Sequence, residues 1–225
     1  MLPELHIFSL TISTYYFMMF VGFVFMLVLM IRRRRRYHLG VICAILFTVC
    51  IMLSGVAGCK LLFILENWGE PITIGGFSFF GAVFLVPPLI ALLGLLFRLR
   101  PGQSINASAP CVNAMVGTIR VGCFLNGCCG GWATTSGFHW PTQAIESVGD
   151  FVILFWLLSK EENGDRILYF RFMLAYSILR FFIEFLRDTP KDWLALSHGQ
   201  WFAVAAAIIA VTVWRPWEKR GMKYE

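Results

Sequence analysis

Residues 120–131 read RVGCFLNGCCGG: an arginine, an asparagine and three cysteines set among glycines at the end of a long apolar segment. An arginine at bilayer depth is costly, so it normally faces a polar cavity or a charged partner. Glycines at such a place let one backbone approach another element closely. The stretch therefore reads as the end of a membrane-spanning helix, with Arg120 as either a structural clamp or one wall of a site.

The rest of the chain agrees with a membrane setting. Of 225 residues, 58% are hydrophobic and only 14% charged, with a mean hydropathy of +0.72. Apolar runs recur at about the 20 residues that a bilayer crossing needs. That composition argues against a soluble domain. The net charge of +6 does not indicate a nucleic-acid partner, because the basic residues gather beside the apolar runs, as topology signals do. The N-terminus has no basic n-region and no small-residue cleavage site, so its first apolar run is expected to be retained as a span.

Seven spans are expected, near 10–31, 40–65, 77–97, 111–129, 141–158, 167–186 and 199–214, in one integral membrane domain over 1–225. The run Arg32–Arg36 closes the first on the cytoplasmic side, and Arg98, Arg100, Lys160, Arg166, Arg215, Lys219, Arg220 and Lys223 fall on that side too. Arg187 and Lys191 are the basic residues of the opposite loops. The reading is an all-α polytopic membrane protein with seven transmembrane helices, its N-terminus outside and its C-terminus cytoplasmic. In the second span Ser54, Gly55, Ala57 and Gly58 form a small-residue surface suited to close helix packing. In the third, Pro87 and Pro88 are expected to kink or break the helix.

A helix rises about 1.5 Å per residue, which sorts polar residues by depth. With its span starting near Cys111, Arg120 falls near mid-membrane, and Asn126 and Cys128 in the outer half. Arg180 and Glu184, four apart, share one face of the sixth span in its outer half. Gln143 and Glu146 open the fifth span, and Tyr15 and Tyr16 the first. The tyrosines read as interfacial anchors or as hydroxyls facing a cavity. Arg180 and Glu184 read as an internal ion pair or as part of a pocket. Two arginines with a carboxylate diverted elsewhere leave positive charge suited to a phosphate, which guanidinium binds bidentately. A phosphate pocket at this depth suggests a phospholipid headgroup.

Cys123, Cys128 and Cys129, with His139 nearby, lack the paired C-x-x-C knuckles of usual zinc sites, and no metal or other cofactor is expected. Packing cysteines, a disulfide and a reactive thiol at Cys128 all remain open readings.

Several motifs together resemble the prolipoprotein diacylglyceryl transferase family over most of the chain. RVGCFLNG at 120–127 resembles its arginine–glycine signature ending in Asn-Gly, with Arg120 in the essential arginine position. HWPTQAIE at 139–146 resembles its His-Pro-(Ser/Thr)-Gln segment ending in Glu, with Trp140 as an extra residue. YSILRFFIEFLR at 176–187 resembles its Tyr-Gly-x-x-Arg-x-x-x-Glu-Phe-x-Arg segment, and SHGQW at 197–201 the Ser-Met-Gly-Gln opening the last span. Tyr16 falls where the family has a functional tyrosine.

The resemblance implies a bacterial cytoplasmic (inner) membrane enzyme. It would move diacylglycerol from phosphatidylglycerol to the lipobox cysteine of a preprolipoprotein and release glycerol-1-phosphate. Its partners would be that lipid, the lipobox peptide and surrounding membrane lipids. Arg120, Arg180, Glu184 and Tyr16 would be catalytic, and Gln143, Glu146, Asn126, Gly131, Arg187 and His139 would bind substrate. The sequence departs from the family at Phe80, where typical members have histidine, at Cys123 (asparagine) and at Cys128 (glutamate). The region between the arginine motif and His139 is also short. A divergent transferase with another acceptor and a non-catalytic phospholipid-binding protein are the alternative readings. A transporter would show two comparable halves with broken helices, and the prolines of the third span have no counterpart.

Overall fold

The computed structural model describes residues 4–7, 10–69, 78–133, 139–163, 167–191 and 194–216. Its α-helices are α1 (Thr14–Arg33), α2 (Val41–Glu66), α3 (Phe79–Gly94), α4 (Pro101–Asn126), α5 (Thr142–Glu162), α6 (Leu168–Ile183) and α7 (His198–Ile209). A 3-10 turn, Glu184–Leu186, extends α6, and a π-helical turn, Ala210–Trp214, extends α7. Among the described residues, five helical stretches are long and apolar enough to cross a membrane: Thr14–Tyr37, Val41–Glu66, Phe80–Phe97, Pro101–Asn126 and Thr142–Glu162. The stretch His198–Val213 is apolar but shorter, and α6 is a 16-residue helix carrying Arg171 and Arg180. The protein is thus a helical polytopic membrane protein.

The expected helix bounds need three corrections. Leu10–Ser13 does not begin the first span. It forms β2, paired antiparallel with β1 (Glu4–Ile7), so a small hairpin precedes α1. Thr11 and Ile12 are β-branched and suit a strand.

The second correction concerns α4, which starts at Pro101 rather than near Cys111 and stops at Asn126, before Cys128 and Cys129. The polar run Gln103–Ser108 looked like loop, yet its polar groups are satisfied within the bundle. Gln103 Oε1 accepts from the backbone of Arg100 at 3.2 Å, and Pro101 occupies the first helical position, where its missing N–H costs nothing. Ser104 and Ser108 bond back to the carbonyls of Pro101 and Ile105 at 2.9 and 2.8 Å. Asn106 Oδ1 accepts the backbone N–H of Leu168 at 2.6 Å, tying α4 to the start of α6. Arg120 consequently sits in the last two turns of α4, toward its C-terminal end rather than midway.

Third, α3 continues through Pro87 and Pro88 without a break in the helix. Membrane helices tolerate proline where neighbouring groups satisfy the freed backbone. Of the small residues of α2, Gly58 meets the backbone of Gly81 on α3 and Ser54 is buried, whereas Ala57 is exposed. The positions Arg166, Lys219, Arg220 and Lys223, and Gly75 to Phe77, lie outside the described residues.

The central helix is α4, which touches α1, α3, α5 and α6 and is buried continuously from Ser104 to Thr118. Eight of those fifteen residues are alanine, serine, glycine, cysteine or threonine, so several neighbours can approach it at once. Large apolar side chains such as Ile42, Leu53, Phe155 and Phe182 point outward from the bundle.

At the end of the bundle where α1 finishes, one residue of the arginine run turns inward. Arg33 donates to Glu161 of α5 at 2.6 Å from Nε and to the Ala107 carbonyl of α4 at 3.0 Å. Tyr37 and Arg36 also donate to Glu161. The basic run is therefore more than a topology signal, and Lys160–Glu162 belongs to α5 rather than to a loop.

Candidate functional site

The opposite end of the bundle holds a second charge cluster, assembled from four segments. Arg120 Nη2 of α4 lies 3.0 Å from Glu146 Oε1 of α5, and Arg180 Nη1 of α6 lies 3.0 Å from Glu146 Oε2. The other arm of Arg180, Nη2, is 2.8 Å from Glu184 Oε2, while Arg187 Nε approaches that oxygen at 3.6 Å. Three guanidinium groups thus face two carboxylates, leaving one positive charge among these ion pairs. Glu146 is fully buried and Glu184 nearly so. A carboxylate at such a place must be paired to remain charged.

Local structure explains how the sequence places each group. Glu146 sits in the second turn of α5, and Gln143, one turn earlier, donates to the Cys128 carbonyl at 2.6 Å. The loop after α4 is pinned on both sides. Gly131 N donates to the Trp140 carbonyl at 2.9 Å, and Trp132 N to the Leu186 carbonyl at 3.1 Å. A Cβ on Gly131 would stand 2.4 Å from that Leu186 oxygen, so only glycine lets this loop lie against the end of α6. On the far side Ser197 caps α7 and donates to Glu184 Oε1 at 3.1 Å. Gly199 brings the first turn of α7 against the same carboxylate.

Among the expected site residues, the structure brings Arg120, Arg180, Glu184, Glu146 and Arg187 into one cluster. Gln143 and Gly131 hold the loop beside it. Asn126 ends α4 half-buried at the turn, and His139 is exposed, its Nδ1 3.3 Å from the Gly131 carbonyl. Tyr16 is placed elsewhere: 63% exposed, it lines a lipid-facing apolar groove of about 350 Å³ with Met19, Phe20, Val49 and Leu53. The neighbouring Tyr15 is the half-buried one, within electrostatic reach of Arg120 and Cys123. Helical geometry separates adjacent residues by about 100°, so one of the pair had to face outward. The departure at Phe80 is a packed ring, 6.4 Å from the ring of Tyr176 and 5.5 Å from that of Phe202.

Three further residues belong to the site. Tyr176 donates to Glu146 Oε1 at 3.4 Å, and Ser197 to Glu184 as above. Both lie in the quoted motifs, one turn before Arg180 and at the start of SHGQW, so sequence held a signal for them. Asp150, one turn below Glu146 on α5, is fully buried with neither oxygen hydrogen-bonded among the described residues. Its four-residue spacing from Glu146 was the available clue.

The cysteines gather beside the cluster. The sulfurs of Cys123, Cys128 and Cys129 all lie within 4.8 Å of one another. All seven cysteines are free thiols, which departs from the disulfide reading. Its contact with Cys123, and then the charges of Arg187 and Arg120, hold the Cys129 thiol below the usual thiol range.

Residues 4–215 match the family model for prolipoprotein diacylglyceryl transferase. The chain belongs to the prolipoprotein diacylglyceryl transferase family. Membership makes it a transferase by family. A relative from Clostridium perfringens, named phosphatidylglycerol–prolipoprotein diacylglyceryl transferase 2, is 28% identical over 247 positions, covering 96% of this chain and 95% of its own. A relative from Chromohalobacter salexigens, named phosphatidylglycerol–prolipoprotein diacylglyceryl transferase, is 31% identical over 217 positions, covering 81% of this chain and 80% of its own.

Proposed function

We propose that this member of the transferase family moves diacylglycerol from phosphatidylglycerol to the lipobox cysteine thiol of a preprolipoprotein and releases glycerol-1-phosphate. The observation that carries this reading is the convergence of Arg120 and Arg180 on Glu146, with Arg187 alongside. Arg187 Nε is buried and has no hydrogen-bond partner among the described residues. Such a surplus of guanidinium donors in a desolvated site suits a phosphate that gains charge as it leaves.

In this mechanism Arg120 and Arg180 hold the headgroup phosphate, and Arg187 adds a third donor. Glu146 fixes the orientation of the first two, and Glu184 that of the last two. The acceptor thiol attacks the glyceryl carbon as a thiolate. A carbon–sulfur bond forms, the carbon–oxygen bond to phosphate breaks, and the electron pair leaves on glycerol phosphate. The chain crosses the bacterial cytoplasmic membrane seven times, N-terminus out, which puts this cluster in the outer layer where a secreted lipobox arrives. The clamp of Arg33 and Glu161 then marks the cytoplasmic layer.

The test mixes purified protein with phosphatidylglycerol and a lipobox peptide and follows thioether product and glycerol phosphate by mass spectrometry. Product in stoichiometric amounts supports the reading. Phospholipid binding without product would leave a lipid-binding protein.

A further inference from the structure

We propose that Cys123, Cys128 and Cys129 hold a zinc ion whose fourth position takes the acceptor thiol as a thiolate. The acceptor's identity rests on the transferase reading; the metal site rests on the structure alone. The sequence-based expectation of no metal looked for C-x-x-C knuckles, whereas this set is assembled by a helix end folding back on itself.

The construction is specific. Gly127 ends α4 with φ 76°, and its N–H and that of Cys128 return to the carbonyls of Phe124 and Cys123. Cys129 then adopts φ 62°, a left-handed conformation that is costly for a non-glycine residue. Strain of this kind collects at functional sites. Together these turns swing two consecutive cysteines back over a third, bringing all three sulfurs within 4.8 Å. Zinc–sulfur bonds of about 2.3 Å in a tetrahedral set put sulfurs about 3.8 Å apart, a closure that side-chain rotation supplies.

The ligand chemistry selects the ion class. Among the described residues no histidine, aspartate or glutamate joins the three sulfurs, a set that suits a thiophilic cation rather than magnesium or calcium. Three protein ligands, instead of four, are the arrangement of zinc sites that keep a position open for substrate. Cys123 is buried, Cys128 half-buried and Cys129 exposed, so the set lies at the surface of the bundle rather than sealed within it. Arg120 and Arg187 act electrostatically on this same group of cysteines, so a thiol held there lies beside the proposed phosphate site.

The rest of the site explains why such an ion is needed. An acceptor thiol must lose its proton, and the carboxylates of the cluster are engaged or sealed. Glu146 is engaged by Arg120, Arg180 and Tyr176, and Glu184 by Arg180 and Ser197. Asp150 is sealed beneath Glu146, and Phe80 is a hydrocarbon ring packed in the core. Coordination performs the task without a base. The incoming thiol displaces water from zinc and releases its proton to solvent. Its sulfur then attacks the glyceryl carbon, and the bond to phosphate oxygen breaks with its electrons leaving on glycerol phosphate. The thioether formed is neutral and binds zinc more weakly than a thiolate, so product departs.

The experiment titrates cobalt(II) into the full chain, metal-stripped and reduced in detergent. Thiolate-to-cobalt charge-transfer bands and tetrahedral d–d bands saturating at one equivalent, displaced by zinc, are expected. They should be lost in Cys129→Ser and in Cys128→Ser, whose side chains are accessible enough for the variants to fold. A lipobox peptide should intensify the charge-transfer band, and its Cys→Ser version should not. Chelation should lower thioether formation at least tenfold, with recovery on adding zinc. Absence of thiolate bands, bands unchanged by the cysteine peptide, binding confined to copper(I), or full transfer after chelation would each overturn the proposal. The spectra do not depend on turnover. A peptide-dependent band without any thioether product supports the thiol-binding zinc site and sinks the transferase reading instead.

Discussion

Arg120 and Arg180 reach one carboxylate from two helices, each with a nitrogen 3.0 Å from a different oxygen of Glu146. Helices α4 and α6 are thereby locked to α5 at the depth where the phosphate is proposed to bind. The two arginines orient each other through the acid between them.

Replacing Arg120 or Arg180 by alanine should lower transfer by about 10²–10³-fold, the range for loss of one donor to developing anionic charge. Lysine at either position should not restore it, because a single ammonium cannot reproduce the forked contact. Product formation by mass spectrometry on folded, purified variants measures both.

The tyrosine pair offers a contrast within one turn. Tyr16→Phe removes a hydroxyl on the exposed face of α1 and should leave turnover within about twofold, a surface change by the usual measure. Tyr15→Phe removes the half-buried one and should reduce turnover more, while thermal stability of the two variants stays similar. Equal losses in both would contradict this placement.

Gly131→Ala should be more damaging than its size suggests. The new methyl would stand 2.4 Å from the Leu186 carbonyl oxygen, so the loop or the end of α6 must move. Displacing Arg187 or the loop by about 1 Å is expected to cost on the order of 10²-fold in kcat. Steady-state kinetics beside a melting curve separates this from unfolding.

At the other end, Glu161→Ala leaves Arg33 buried without its carboxylate and should destabilise the protein by about 3–5 kcal/mol. Turnover per folded molecule should be little changed, because the clamp lies at the opposite end of α5. Combining Arg33→Met with Glu161→Leu should recover much of the loss, since a packed apolar pair carries no desolvation penalty. Thermal unfolding in detergent reads the series.

Much of the charge cluster was legible because family motifs and helical spacing both act locally. The four-residue spacing of Arg180 and Glu184 placed them on one face, and Gln143 and Glu146 fall in the opening turns of α5, as expected. Tyr16 shows the limit of that approach: a motif position names a residue but not the direction its helix turns it. The start of α4 shows another. Serines and an asparagine read as loop when judged by polarity, and they became helix once their partners came from Pro101, Ile105 and Leu168.

Hydrophobic run length and the distribution of arginine and lysine are one-dimensional quantities, so the sequence by itself determined a polytopic helical membrane protein and the residues of its charged motifs. Which acid each arginine meets is different, because Glu146 stands 26 residues from Arg120 and 34 from Arg180 along the chain. Only packing α5 between α4 and α6 decides that pairing. The same holds for RVGCFLNGCCGG, where the left-handed turns at Gly127 and Cys129 decide that three cysteines meet. Long-range ion pairs and sulfur clusters depend on distances through space, and those exist only once the helices have docked.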